Sequence, residues 1–273
     1  MYAMRQVTVL LAFATSVAAA EPLQPRKAKL HYSGRWDFAD PSRPWCAWEG
    51  SSFFAKFKGT GISVTLQCDR SVYLRVIVDG DHFGSRKINL ESGHRKYQLA
   101  TDLDLAQHTI EVVKETYSGR GRLHLHNVEV VDGDLVPVGK EAPRLRLQFY
   151  GDSNLAGYSL EHEKNKGGAK YSGCHFTFAG IASRMLDGEH QNISVSGATI
   201  LGGQNSLMSF FDRMDYYEAQ PTWQFERFPA DICVVNIGAN DITRRSKTEI
   251  KRNYQSLLRK LRQAHPKAHI VLM

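Results

Sequence analysis

Three short stretches of the chain bring a nucleophile or hydrogen-bond donors together with glycine: "YGDSN" at Tyr150–Asn154, "VSGAT" at Val195–Thr199 and "NIGAND" at Asn236–Asp241. Ser153 offers a hydroxyl that can attack a carbonyl and a backbone N–H that can face it. Gly197 lets the main chain approach a ligand closely. Asn240 supplies a neutral amide donor. Attack on an ester places negative charge on the former carbonyl oxygen, and one fixed donor there is worth about 10²–10³ in rate. Taken singly, each residue has a plainer reading: a strand-end serine, a turn glycine, and an Asn-Asp helix cap. Taken together, the Ser153 N–H, the Gly197 N–H and the Asn240 side chain make a three-donor oxyanion hole around one hydroxyl.

Such a set needs elements that bring three strand ends together. After about residue 141 the sequence alternates strands and helices. "RLRLQFY", "QNISVS", "ADICVVNI" and "AHIVLM" read as strands, "GCHFTFAGIASRML" and Thr248–Ala264 as helices. In the first helix Phe176, Ala179, Ile181 and Leu186 are available for burial. Near-continuous apolar strands alternating with helices predict a parallel sheet covered on both faces. Ligands of such sheets bind beyond the carboxyl ends of the strands, where the three stretches fall.

The preceding part has a different rhythm. From about Leu30 to Val131, β-branched and aromatic runs such as "SSFFAKFKG", "GISVTLQC" and "VYLRVIVDG" are broken by Gly59-Thr60-Gly61, Asp79-Gly80 and Ser118-Gly119. This predicts an all-β sandwich, a jelly roll, over residues 21–140. The polar, Gly- and Pro-containing segment from Asp132 to Pro143 marks the boundary, and 141–273 form the α/β domain. Residues 1–20 read as a secretory signal peptide: Arg5, an apolar stretch over Val7–Val17, then Ala18–Ala20. The stretch is too short to span a bilayer, so the expectation is an exported protein with no membrane segment after cleavage.

The formal charge of +7 raises nucleic acid as a partner. Much of it lies in "TRRSKTEIKRNYQSLLRKLRQ", where Ile250, Tyr254, Leu257, Leu258 and Leu261 recur at helical spacing. The basic residues then form the solvated face of a packed helix, and no nucleic-acid motif argues otherwise. Of the four cysteines, Cys46 and Cys68 are close enough in sequence to pair, and Cys233 in an apolar strand suits a buried thiol. Four cysteines allow three connectivities. No cluster has metal-ligand spacing, and no cofactor is expected. Asn192-Ile193-Ser194 is a glycosylation sequon in a eukaryotic host.

"GDS", Gly197 and "GAND" resemble, in order, the Ser, Gly and Asn blocks of the SGNH (GDSL-type) hydrolases. With "GRWDFADPSRPWCAWEGSSFFAKFKGTGISVTL" and "PTWQFERFPADICVVNIGAND", the sequence looks most like carbohydrate esterase family two, a jelly roll ahead of an SGNH domain. The resemblance implies a secreted enzyme that removes acetyl groups from polysaccharides such as xylan or mannan, with Ser153 as nucleophile and Gly197 and Asn240 as oxyanion donors. It also implies a base: a histidine in an Asp-x-x-His type block downstream of "GAND". None of the histidines here fits by position. His265 and His269 precede or begin a strand, and His162 reads as an exposed loop residue. The expectation is an α/β domain incomplete at its C-terminus, with the base absent from the chain. Two other readings compete: a carbohydrate-binding protein without catalysis, presenting Trp36, Trp45 and Trp48 to sugars, and an SGNH lipase, against which no long apolar lid is present.

Overall fold

A computed structural model describes residues 29–139, 144–202 and 205–273. The signal-peptide segment lies outside the described residues. In chain order the strands are β1 (Leu30–Ser33), β2 (Trp36–Asp37), β3 (Trp45–Cys46), β4 (Ser52–Gly59), β5 (Gly61–Cys68), β6 (Val72–Val78), β7 (Arg86–Leu90), β8 (Gly93–Ala100), β9 (Ala106–Lys114), β10 (Leu123–Val131) and β11 (Asp134–Val136). There follow β12 (Arg146–Gly151), α1 (Ser153–Ala156), α2 (Phe178–Met185), β13 (Glu189–Ser194), α3 (Leu207–Phe210), β14 (Ile232–Asn236), α4 (Ala239–Ile242), α5 (Lys247–Ala264) and β15 (His269–Leu272).

The first half is two antiparallel sheets. One runs β1-β4-β9-β6-β7, with β11 also pairing β4; the other runs β2-β3-β10-β5-β8. Alternation along the strands explains their packing. In β4, Phe53, Ala55 and Phe57 are buried while Lys56 and Lys58 face outward, so one face meets the core and the other water. Phe53, Phe57, Ile62, Leu66 and Leu74 from both sheets share one apolar core. Truncating such a phenylalanine to alanine costs about 3–5 kcal/mol.

In the second half, β13-β12-β14-β15 form a parallel sheet among the described residues. Successive residues of β12 serve opposite faces. Tyr150 packs with Val235, Leu257 and Leu261 beneath α5, whereas Phe149 packs with Val234 and Ala179 beneath α2. Helices therefore cover both faces, giving three layers. A capping box at Ser246 and Glu249 starts α5. Its buried residues are Asn253, Leu257 and Leu261, and its basic residues lie on the outer face.

The halves interlock. Trp48 of the sandwich is fully buried in the α/β core against Phe210, and its Nε1–H donates to the Arg213 carbonyl at 2.9 Å. Buried Arg35 donates to the same carbonyl and to Gln191 Oε1.

Several sequence expectations are corrected by packing. Cys46 and Cys68 are free buried thiols, one on β3 and one on β5, separated by β10, where Leu123 registers with both. Cys174 and Cys233 are also free. Ile181 and Leu186 are exposed, because α2 buries only its Ala179, Gly180 and Ser183 side. Trp36 and Trp48 are core residues that present no face to solvent. Asn192 is buried in β13 and donates to the Leu155 carbonyl at 2.7 Å, so the folded sequon offers no side chain to a glycan.

Candidate active site

The parallel register brings the ends of three adjacent strands level: Gly151 of β12 pairs with Ser194 of β13 and Asn236 of β14. Gly151 has to be glycine. A Cβ there would sit 2.5 Å from the Asn236 carbonyl oxygen and 2.4 Å from Leu155 Cδ1. The chain turns directly into α1, whose first residue is Ser153, partly accessible, and whose cap is Asp152.

Asn240 ties the three ends together. Its Nδ2 donates to the Ala198 carbonyl at 2.9 Å and lies 3.5 Å from Asp152 Oδ2. Ala198 follows Gly197 and Asp152 precedes Ser153, so one amide touches the neighbours of both other residues. An amide nitrogen carries two hydrogens. The Ala198 bond uses one and fixes the amide plane; the second is directed to Asp152 Oδ2, on the residue before Ser153. Gly197 has φ +79°, a left-handed backbone that favours glycine.

Two aspartates, Asp152 and Asp241, position this set. Asp152 is buried and accepts from Asn154 N at 3.1 Å; burial raises its pKa, opposed by the Asn154 hydrogen bonds. Asp241, fully buried, accepts from Ile200 N at 3.0 Å and pairs with Arg245 at 3.2 Å. It therefore ties the loop after Gly197 to the helix that carries Asn240. An Asn-Asp pair after a strand was visible in the sequence, but its role depends on a contact across 41 positions.

The sandwich also reaches this edge. Ser118 Oγ accepts from Ser196 N at 2.8 Å, and the Tyr117 ring meets Tyr158 edge-on at 4.9 Å. The loop between β9 and β10 thus walls the site, which no local motif announced.

Among the described residues, no hydrogen bond joins a histidine to Ser153. His265 is buried, its Nε2 2.9 Å from the Tyr150 hydroxyl, and His269 begins β15 at the opposite edge of the sheet. His162, expected to be exposed, is half-buried: its ring packs edge-on against Tyr171 at 4.2 Å and its Nδ1 accepts from Lys164 N. Among the described residues, no group of His, Cys, Asp and Glu is arranged to hold a metal ion.

A sheet-rich N-terminal domain joined to a three-layer α/β domain, with serine, glycine and asparagine at adjacent strand ends, defines a two-domain protein of the SGNH class. The family comparisons divide the chain in the same way. The Carbohydrate esterase 2 N-terminal family matches residues 32–138 and the GDSL-like Lipase/Acylhydrolase family matches 149–273. Together the two matches follow the domain order of the family two carbohydrate esterases, to which the chain is similar. It is 28% identical over 248 residues to the cellulase/esterase CelE of Acetivibrio thermocellus, a match covering 88% of this chain and 30% of that protein's length. Among solved structures it is similar to a family two carbohydrate esterase from Clostridium thermocellum in complex with cellohexaose, at 25% identity and TM-score 0.82, covering 89% of this chain and 76% of the other. A family two carbohydrate esterase from Cellvibrio japonicus shares the fold at 19% identity and TM-score 0.82, over 90% and 76% of the two chains.

Proposed function

We propose that this protein is an exported serine esterase that removes O-acetyl groups from polysaccharide. The observation that carries the reading is the Asn240 amide, held by Ala198 with its second N–H towards the residues around Ser153. Ser153 Oγ attacks the acetyl carbonyl carbon, and the Ser153 N–H, Gly197 N–H and Asn240 Nδ2–H receive the resulting oxyanion. Collapse expels the sugar oxygen, which takes up a proton, and water then hydrolyses the acetyl-serine. No cofactor enters the scheme. The proton of Ser153 Oγ passes to a general base and from it to the departing sugar oxygen. Residues 1–20 act as a signal peptide, 21–140 as a jelly-roll sandwich and 141–273 as the hydrolase domain. The relative crystallised with cellohexaose supports a polysaccharide rather than a lipid substrate.

The assay is acetate release from acetylated xylan and acetylated mannan by the full-length protein. Turnover abolished by Ser153→Ala supports the assignment, and turnover undiminished by it refutes it. A second reading is a carbohydrate-binding protein without catalysis. Polysaccharide binding with no acetate release would select it.

A further inference from the structure

Of the four consecutive backbone N–H groups that follow β13, three are committed. Val195 N donates to the Gly151 carbonyl at 3.3 Å, Ser196 N to Ser118 Oγ at 2.8 Å, and Ala198 N to the Val195 carbonyl at 2.9 Å. Gly197 N has no hydrogen-bond partner among the described residues. The bond from Ala198 to Val195 closes a four-residue turn, and Gly197, third in it with φ +79°, fits type II. In a type I turn the central peptide, which carries the Gly197 N–H, faces the other way. The N–H therefore keeps its direction only while the turn is held in this form.

The turn is anchored on both sides. Asn240 of the α/β domain holds its end through the Ala198 carbonyl. Ser118 of the sandwich holds its middle through Ser196 N. Docking of the two domains has contacts of its own, Trp48 and Arg35 on the Arg213 carbonyl. The Ser118 bond, by contrast, lands on the turn that carries Gly197.

Ser118 is itself held with unusual firmness. It is buried, and its φ of +59° is the left-handed backbone that residues other than glycine rarely adopt. Such a conformation persists where the surroundings over-determine it. Two fully buried side chains do so from within the sandwich. Glu49 Oε2 accepts from Gly119 N at 2.8 Å. Lys114 Nζ donates to the carbonyls of Thr116 at 3.1 Å and Arg120 at 2.7 Å. Backbone on either side of Ser118 is thereby fixed, and its hydroxyl reaches across the domain seam.

We propose that Ser118 is a positioning residue for the reaction: its hydroxyl anchors Ser196 N, so that the next N–H, that of Gly197, stays directed at the oxyanion. The sandwich then completes the active site from the other domain. This role rests on the esterase reading of Ser153, Gly197 and Asn240.

The test compares Ser118→Ala with Ser118→Gly in the full-length protein. Both remove the acceptor, but glycine adopts a positive φ readily and alanine does not, so the glycine variant should melt at the higher temperature. A merely structural role would make activity follow that order. A positioning role lowers kcat on a chromogenic acetate ester about tenfold in both, less than outright loss of an oxyanion donor. KM should stay within about twofold. Amide hydrogen exchange gives a readout independent of turnover: the Ser196 N–H should exchange about tenfold faster, or more, in both variants. Unaltered exchange at Ser196, a loss confined to KM, or a kcat restored in Ser118→Gly overturns the proposal and leaves the esterase standing. An unsubstituted protein without turnover, in which Ser118→Gly still speeds that exchange, refutes the esterase reading and this role with it.

Discussion

Glu49 of the sandwich and Ser194 of the parallel sheet meet in the buried seam between the domains, Oε1 to Oγ at 2.8 Å. Ser194 Oγ lies 2.8 Å from Asn192 Oδ1 as well, and Asn192 in turn holds the Leu155 carbonyl of α1. A hydroxyl has one proton to give. Every partner is satisfied if Glu49 is protonated and donates to Ser194, which then donates to Asn192. Consistent with this, burial raises the Glu49 pKa to about 7, despite an opposing hydrogen bond from Gly119 N. The sandwich is thereby linked to the helix that begins with Ser153.

That link has a pH signature. The folded state holds the Glu49 proton more tightly than the unfolded state, so this group's contribution falls as pH rises from about 4.5 to about 7 and stays low above. His175, His190 and His265, lowered to about 2, 4 and 4 by burial, act oppositely: their contribution is lost as pH falls below about 6.5. Glu49→Gln isolates the first effect, because glutamine keeps the bonds to Gly119 and Ser194 without ionising. Thermal melts should show the variant gaining stability over wild type at pH 8 and little or none at pH 4.5. Equal differences at both pH values would contradict a protonated Glu49.

In the proposed mechanism the Asn240 amide is a donor needed only when charge develops. Asn240→Ala should lower kcat by about 10²–10³ with a much smaller change in KM. Steady-state kinetics on a chromogenic acetate ester measure both. A rise confined to KM would place Asn240 in ground-state binding.

Gly197 separates backbone geometry from space. Among the described residues a Cβ there would meet only Asn205 Nδ2, at 3.8 Å, an ordinary contact, so alanine chiefly adds the strain of φ +79°. Gly197→Ala should cost about 1–2 kcal/mol, a Tm drop of a few degrees, because alanine resists that dihedral. Calorimetry checks the cost. Activity should fall further than stability, since the N–H shifts as the strain relaxes.

The four cysteines give a chemical test of the fold. All are free, buried thiols, and burial raises the pKa of each. Denatured protein should therefore titrate four thiols without reductant, and reductant should leave the Tm unchanged. A loss of two thiols together with a reductant-sensitive Tm would point to a bridge that this structure does not contain.

How much of this was legible in the sequence follows from which interactions are local. The strands of the sandwich and sheet announce themselves by alternation or apolar runs, and Ser153, Gly197 and Asn240 by their places at strand ends. Asp241 was visible only as half of a capping pair, because its partner Ile200 N arrives through the fold. The Ser118–Ser196 contact joins residues 78 positions apart in different domains, and the His82–His175 ring contact likewise exists only after docking. Cys46 and Cys68 are near in sequence yet lie on strands with β10 between them. Sequence proximity is a poor guide to pairing in an antiparallel sheet whose neighbours are not consecutive.

The central claim is that Ser153 carries the acyl group, and trapping tests it most directly. The full-length protein is mixed with an acetylated substrate, quenched in acid, digested and analysed by mass spectrometry. The mass of one acetyl group is expected on Ser153, within the peptide containing "FYGDSNLAGY", and is expected to be absent in Ser153→Ala. Acetyl on another residue, or full turnover with Ser153 replaced, would contradict it.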